Sequence, residues 1–229
     1  MARVWVTRAS PGAEATAERL VALGHRPVVA PLLTVRARPF DPDIAGVAAL
    51  AFTSRHGVEA FAGRQPERGL TVYTVGAATA QAARRAGYGR VEHADGDVET
   101  LAALIIRDRP AGLVLHPGAA QPAGDLTGAL GAAGIVARSL VVYETLTIAP
   151  DPAFLVALDA LDAVLLHSAK ASRALAALLA ARPAPSLRAL CLSPAVAEPL
   201  AATAAAGGLG SVASAPRPRE SALFELLHA

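Results

Sequence analysis

The chain has 229 residues, of which 53% are hydrophobic, and this apolar content excludes a disordered protein. The formal net charge is +2, the charged residues are scattered and only 4% of residues are aromatic, so the composition gives no support to a nucleic-acid-binding surface. No apolar run reaches the roughly 18 uncharged residues that a membrane helix needs.

Short apolar runs alternate with helical patterns along the whole chain. Strands are predicted at Val4–Thr7, Val28–Val35, Val47–Thr53, Leu70–Val75, Leu113–His116, Ala137–Thr145, Ala163–His167, Leu187–Leu192 and Ser211–Ser214. Helices are predicted at Gly12–Leu23, Arg55–Gly63, Ala77–Ala86, Val98–Asp108, Ala123–Ala133, Lys170–Ala181, Ala195–Ala206 and Arg219–His228. Alternation of this kind, with several fully apolar strands, predicts an α/β fold of parallel sheets flanked by helices on both faces.

Three pairs of segments repeat along the chain at a spacing of about 110 to 117 residues. The pairs are Ala51–Phe61 with Leu165–Leu175, Tyr73–Ala80 with Leu190–Ala197, and Ala22–Gly24 with Ala132–Gly134. A similar offset over three segments indicates duplication of a half-chain, and therefore two similar lobes.

Two extended segments are long for strands of a single sheet. Val28–Arg38 and Arg138–Ile148 each stay extended for about ten residues, against a usual five or six. Each could begin in one lobe and run into the other, so that residues 1–36 would fold with residues 149–229. Two sequential halves, divided near Pro110–Gly112, fit the pattern equally well.

Small hydroxyl-bearing residues or glycine follow several strands directly before a helix. They lie in Thr7–Pro11, Thr53–Ser54, Val75–Thr79, His167–Ser168 and Leu192–Pro194. Ligands of open parallel sheets bind beyond the carboxyl ends of the strands, where helix N-termini favour anions. The serines are also typical helix N-caps, a role compatible with ligand binding. Two such edges facing one another predict a cleft for a ligand with many carboxylates.

Motifs for other chemistry are missing from the sequence. The six histidines are dispersed without metal-ligand spacing, and no glycine-rich nucleotide motif follows a strand, so we expect neither metal nor cofactor. His56 and His167, beside the predicted edges, are interpreted as solvated or packed side chains. Tyr143 lies in the second long strand, where its hydroxyl would reach a cleft.

In the order of its motifs the chain resembles the uroporphyrinogen-III synthase family. The segments that carry the resemblance are Val6–Arg8, Phe52–Val58, Val75–Ala80, Gly134 followed by Val142–Thr145, and Leu166–Ser168. The resemblance implies two α/β lobes joined by a two-stranded antiparallel linker, with a discontinuous domain 1 (1–36 plus 149–229) and domain 2 (37–148). The chain departs from the family at His56, where asparagine is frequent, and at Val196, which replaces a threonine.

The resemblance implies that the protein cyclises hydroxymethylbilane to uroporphyrinogen III, with loss of water and inversion of the terminal ring, and needs no cofactor. Tyr143 is the expected catalytic residue, assisting departure of the hydroxyl group. The expected substrate-binding residues are Thr7, Arg8, Ser54, Gly76, Thr79, Ser168, Lys170 and Ser193. The alternative is a non-catalytic two-lobed binding protein for a small anion.

Two features predict where the protein works. The only cysteine, Cys191, cannot form an internal disulfide, and the N-terminus lacks the apolar core of a signal peptide, so we expect a cytoplasmic protein. Without an obvious oligomer interface we expect a monomer. A contact with the preceding pathway enzyme, hydroxymethylbilane synthase, is left open by the resemblance.

Overall fold

The computed structural model describes residues 1–228, which divide into two compact units. Unit 1 comprises Met1–Thr34 and the chain from Leu146 onwards, and unit 2 comprises Val35–Thr145. Among the described residues, every helix is too short or too polar to span a bilayer.

The elements alternate between strand and helix through most of the chain. The strands are β1 (Arg3–Val6), β2 (Arg26–Val29), β3 (Leu33–Ala37), β4 (Val47–Phe52), β5 (Thr71–Thr74), β6 (Val91–His93), β7 (Leu113–Ala119), β8 (Ala137–Thr147), β9 (Ala163–Leu166), β10 (Ala184–Cys191) and β11 (Leu209–Ser214). The helices are α1 (Gly12–Ala22), α2 (Arg55–Ala62), α3 (Ala77–Arg85), α4 (Val98–Asp108), α5 (Leu126–Ala132), α6 (Pro152–Val156), α7 (Ala169–Ala181), α8 (Pro194–Ala197), α9 (Ala201–Ala205) and α10 (Glu220–Glu225). Short 3₁₀ turns follow α6, α8 and α10.

Prolines explain two differences from the predicted elements. The predicted strand Val28–Val35 is two strands, β2 and β3, because Pro31 between them has no N–H to donate to a sheet. The predicted helix Ala195–Ala206 is interrupted at Pro199, where a 3₁₀ turn separates α8 from α9. The sequence prediction also missed strand β6 and helix α6.

Unit 1 contains a five-stranded sheet in the order β11-β10-β9-β1-β2, with parallel pairing throughout. Its central strands are apolar on both faces: Trp5 packs into one core cluster, and its neighbours Val4 and Val6 pack into another. Cys191 is buried in the first cluster, and burial raises the pKa of its thiol to about 12. This thiol is therefore a packed, protonated group.

The six-stranded sheet lies mostly in unit 2 and has the order β3-β8-β7-β4-β5-β6; the pairs from β8 to β6 are parallel. The two faces of β4 bury different residues, with Leu50 and Phe52 in one cluster and Ala49 and Ala51 in the other. Helices therefore cover both faces of both sheets, and the predicted α/β class with parallel sheets is confirmed.

Candidate functional site

A pocket of about 390 Å³ lies at the carboxyl edge of the unit 2 sheet. Its lining comes from the segments that follow β4, β5 and β7, from the start of α4 and from β8: Thr53, Ser54, Val75, Asp97, Val98, Glu99, Ala119, Gln121, Pro122, Ala123, Gly124, Tyr143 and Thr145. The chain runs from β4 outwards through β5 and β6, then returns to the other side of β4 as β7. Ligands of open parallel sheets bind at such a reversal of strand order.

Tyr143 reaches the pocket wall through an irregularity in the sheet. The register between β7 and β8 shifts at Gly118–Ala119, so that Ala119 is opposite Tyr143 while Gly118 is opposite Val141. A bulge of this kind breaks the alternation of side chains, and the neighbours Val142 and Tyr143 both contribute to one core cluster. Tyr143 is only 7% exposed, so its ring is held by packing beside the pocket.

Helix α2 begins at the same edge of the sheet. Ser54 is its N-cap, in extended conformation, and Ser54 Oγ accepts a hydrogen bond from His56 N at 3.2 Å. A Cβ atom on Gly57 would lie 2.7 Å from the Pro117 carbonyl oxygen, so glycine allows the helix to approach the backbone of β7 closely. The first turn of α2 is thereby fixed against the two strands that border the reversal.

A buried histidine lies within hydrogen-bond distance of Thr53, which lines the pocket. His116 in β7 is 4% exposed, and its Nε2 lies 3.2 Å from Thr53 Oγ1. Burial lowers the pKa of His116, so the imidazole is neutral at pH 7. Sequence analysis did not single out this residue; its only signal was a histidine at the end of an apolar predicted strand.

Gly76 and Thr79 belong to the N-terminal end of α3, next along the sheet. Gly76 is the extended N-cap, and an added Cβ would meet nothing within 4 Å, so space is open above it. Thr79 is 6% exposed, and the pocket lining includes their neighbour Val75 rather than either residue. The structure therefore places Gly76 and Thr79 close in sequence to the lining residue Val75, but neither of them lines the pocket.

Two carboxylates line the pocket from α4. Asp97 caps this helix: its carboxylate accepts from Thr100 N at 3.0 Å, while Thr100 Oγ1 accepts from Asp97 N at 2.8 Å. Hydrogen bonding from Thr100 lowers the pKa of Asp97, which is therefore ionised. With Glu99 in the first turn, this side of the pocket is acidic.

The carboxyl edge of unit 1 holds the other expected site residues. Ser168 is the N-cap of α7, and its Oγ accepts from Ala171 N at 3.2 Å. Lys170 follows in the first turn of α7. Ser193 has the N-cap position of α8 without a side-chain cap bond, and it is half-buried.

Thr7 requires a correction to the expected set. It is fully buried, and its Oγ1 donates a hydrogen bond to the Leu165 carbonyl oxygen at 2.7 Å. This bond ties the end of β1 to the neighbouring strand β9. The hydroxyl is therefore committed inside the sheet and is not available to a ligand.

Arg8, the next residue, joins an ionic cluster around Glu220. Arg8 Nη1 lies 3.1 Å from Glu220 Oε1, His167 Nε2 lies 2.9 Å from the same oxygen, and Thr16 Oγ1 lies 2.6 Å from it. Arg19 pairs with Oε2. Burial raises the pKa of Glu220, but hydrogen bonds from His167 and Thr16 and the nearby charges outweigh it and hold the pKa at about 2. Sequence analysis missed Glu220 altogether.

No group of three or more histidine, cysteine, aspartate or glutamate side chains within residues 1–228 has the arrangement of a metal site. Beside the acidic groups Asp97, Glu99 and Glu220, the two edges carry hydroxyl groups, helix N-termini, arginine, lysine and one tyrosine. Such groups bind anions and position them.

Comparison with known proteins gives three results. The family model described as uroporphyrinogen-III synthase HemD matches residues 14–225. Two solved structures are similar over the whole chain. Uroporphyrinogen-III synthetase from Helicobacter pylori 26695 is 17% identical, with a TM-score of 0.70 and coverage of 100% of this chain and 99% of that chain. A mutant uroporphyrinogen III synthase from the extremely thermophilic bacterium Thermus thermophilus is 22% identical, with a TM-score of 0.54 and coverage of 100% and 98%. None of the curated proteins matches the chain.

Proposed function

Because the chain belongs to the uroporphyrinogen-III synthase family, we infer that it cyclises hydroxymethylbilane to uroporphyrinogen III with loss of water and inversion of the terminal ring. It is thus a cyclising lyase. The observation that carries this conclusion is the family match over residues 14–225. That match does not favour the alternative, a non-catalytic binding protein for a small anion.

We propose that the chain is a duplicated α/β protein whose two lobes have the same internal strand order. In unit 1 the order β2-β1-β9-β10-β11 is 2-1-3-4-5 along the chain. In unit 2 the strands follow one another in the sheet as β8-β7-β4-β5-β6. If β7 and β8 are counted as first and second, and β4, β5 and β6 as third to fifth, this order is also 2-1-3-4-5, as in a circular permutation. The sequence repeats support this pairing, because they align the β4 and β5 segments with those of β9 and β10.

The proposed domains are residues 1–36 plus 149–229 and residues 37–148, joined by two antiparallel strands. The division of the chain after Thr34 and after Thr145 supports these boundaries. Two backbone hydrogen bonds support the antiparallel linker, from Ile148 N to Leu32 O and from Arg38 N to Val142 O. From the first bond to the second, the residue number rises in one strand, from 32 to 38, and falls in the other, from 148 to 142. Antiparallel strands pair in this way.

In the proposed mechanism the protein acts mainly by holding one conformation of the substrate. Departure of the substrate hydroxyl, which takes up a proton to leave as water, gives an azafulvene-type cation. The substituted carbon of the terminal ring attacks this cation, and the spiro intermediate reopens and closes with that ring inverted. Tyr143 donates a hydrogen bond or a proton to the departing hydroxyl. Its packed ring at the pocket wall supports this role.

We propose that substrate carboxylates bind to helix N-termini on the two carboxyl edges. Ser54 and Gly76 mark two such termini in unit 2, and Ser168 with Lys170 marks one in unit 1. Free N–H groups and the helix dipole favour anions there. Ser193, whose hydroxyl makes no cap bond, is proposed as a further contact.

The acidic side of the unit 2 pocket suits a different part of the substrate. Carboxylates of hydroxymethylbilane would be repelled by Asp97 and Glu99, so they are expected to lie towards Ser54 and Gly76. The monomeric state, the cytoplasmic location and a contact with hydroxymethylbilane synthase stay predictions.

Incubation with freshly prepared hydroxymethylbilane, followed by separation of the product isomers, tests the proposed function. We expect the type III isomer in excess of the type I isomer that the substrate forms by itself. A protein-free reaction measures that spontaneous background. Formation of the type I isomer alone, at the background rate, would contradict the conclusion.

A further inference from the structure

We propose that Glu220 is a positioning residue for substrate binding, holding Arg8 so that the free side of its guanidinium group binds a substrate carboxylate. This inference rests on the proposed function, because it concerns the same polyanionic substrate. Glu220 itself would not contact the substrate.

The contacts of Arg8 leave part of its guanidinium group unused. Nη1 is bonded to Glu220 Oε1 at 3.1 Å and approaches Thr16 Oγ1 at 3.4 Å. Nη2 and Nε have no hydrogen-bond partner among residues 1–228, and the side chain is 33% exposed. A fork of this kind binds a carboxylate through its remaining N–H groups.

The orientation of Arg8 is fixed from a second direction by Gly12 in the first turn of α1. A Cβ atom on Gly12 would lie 2.7 Å from Arg8 Nε and 3.0 Å from Cζ, so the guanidinium group packs closely against the glycine. Glu220 therefore holds the Nη1 end of a group that Gly12 already confines. Arginine has high rotamer entropy, and a group held in place in advance loses less of it on binding.

The charges of the cluster leave room for a second carboxylate. Arg8 and Arg19 contribute two guanidinium charges, and Glu220 contributes one carboxylate, which leaves one positive charge. The Glu220 side chain is 12% exposed and is also held by Thr16 and His167. Glu220 is therefore a built-in member of the cluster, around which the more exposed arginines are arranged.

The cluster also stands where a ligand is expected in unit 1. Arg8 follows β1 and His167 follows β9, and these neighbouring strands border the reversal of strand order in the unit 1 sheet. Loops at this point of an open parallel sheet form the usual binding crevice. A purely structural ion pair that joins α10 to α1 would not require this location.

The test compares initial rates of type III isomer formation for wild-type protein, Glu220→Gln, Arg8→Gln and the double variant over a range of hydroxymethylbilane concentrations. Loss of a charge-assisted contact is expected to raise KM about tenfold in Arg8→Gln with little change in kcat. Glu220→Gln is expected to raise KM about fivefold, since Arg8 is retained but no longer held. The double variant should have the KM of Arg8→Gln alone, because Glu220 acts through Arg8.

Arg182→Gln, which removes an exposed ion pair with Asp159 in the same unit, is the matched control and should keep the wild-type KM. Urea unfolding of each variant verifies that it is folded. If Glu220→Gln does not fold, Glu220→Asp keeps the charge while shortening the side chain, and its KM should also rise.

Two results would overturn the inference while leaving the proposed function intact. One is a wild-type KM in both folded Glu220 variants beside an active wild-type protein. The other is an additive effect of the two substitutions in the double variant. Failure of the wild-type protein to form the type III isomer would instead contradict the proposed function.

Discussion

The ring centroids of Tyr143 and His56 lie 5.8 Å apart, with the ring planes inclined by 57°. The two residues come from different elements, β8 and the first turn of α2. Their contact joins the strand that bears the expected catalytic hydroxyl to the helix whose N-terminus is capped by Ser54. The contact therefore packs the two elements against each other beside the pocket.

Replacing Tyr143 with phenylalanine should slow formation of the type III isomer about 100-fold, the lower end of the range for a positioned proton donor. Stability should change little, because the ring packing is retained. The measurement is the isomer ratio and rate with fresh hydroxymethylbilane. Unchanged turnover with an unchanged isomer ratio would remove Tyr143 from the mechanism.

Tyr88→Phe is the matched control for that experiment. The Tyr88 hydroxyl is buried without a hydrogen-bond partner, and the residue lies outside the pocket lining. Because an unsatisfied buried hydroxyl is unfavourable, its removal should leave activity unchanged and leave stability equal or slightly higher.

Glu220→Gln should lower the free energy of unfolding by about 3 kcal/mol at pH 7, as expected for a carboxyl group whose pKa is about 2 in the folded protein against an ordinary value of 4.5. A lowered folded-state pKa gives stability that is fully present above pH 4.5 and is lost as the pH falls towards 2. Urea unfolding of both proteins at pH 7 and at about pH 3 tests this. A difference that stays constant across that range would show that the charge of Glu220, which faces Arg8, Arg19 and His167, is not its source.

Gly57→Ala should destabilise unit 2 by about 1–3 kcal/mol, because the added methyl group would approach the Pro117 carbonyl oxygen. It should also reduce type III formation by displacing the first turn of α2. Gly131→Ala in α5 is the control, since an added Cβ there meets nothing within 4 Å. Removing a helical glycine at that position should raise stability by up to about 1 kcal/mol. Equal effects of the two substitutions in thermal unfolding would contradict the close approach.

His116 should make the protein sensitive to mild acid. Burial lowers its pKa below the ordinary histidine value of 6.5, so the unfolded chain takes up a proton first and stability falls as the pH drops below 6.5. His116→Gln, which can still bond to Thr53, should lose less stability than wild type between pH 7 and pH 5. Parallel pH profiles for the two proteins would show that His116 does not titrate in this way.

Local patterns predicted most elements of the fold. The apolar runs around Val4, Val47 and Ala163 became central strands because strands buried on both faces must be apolar throughout. The three residues of β6 were too few for a pattern to emerge. Pro31 was a local signal for the break between β2 and β3, but the apolar residues on both sides of it were interpreted as one continuous strand.

The candidate site was predicted only where the signal lies close in sequence. The N-caps Ser54 and Ser168 stand directly before their helices, and the structure places both as caps. Glu220 was missed because its partners Thr16 and His167 are 204 and 53 residues away along the chain. The burial of Thr7 likewise depends on strand β9, which no local pattern around Thr7 can reveal.

The pairing of β1 with β9 determines the order in which the units can fold as the chain leaves the ribosome. Val4–Val6 have Ala163–Leu165 as their partners on one side, so this pairing waits until the polypeptide has grown past unit 2. Unit 2 is continuous, and its elements are complete before those partners are synthesised. Strand β1 therefore completes its pairing only after all of unit 2 has been made.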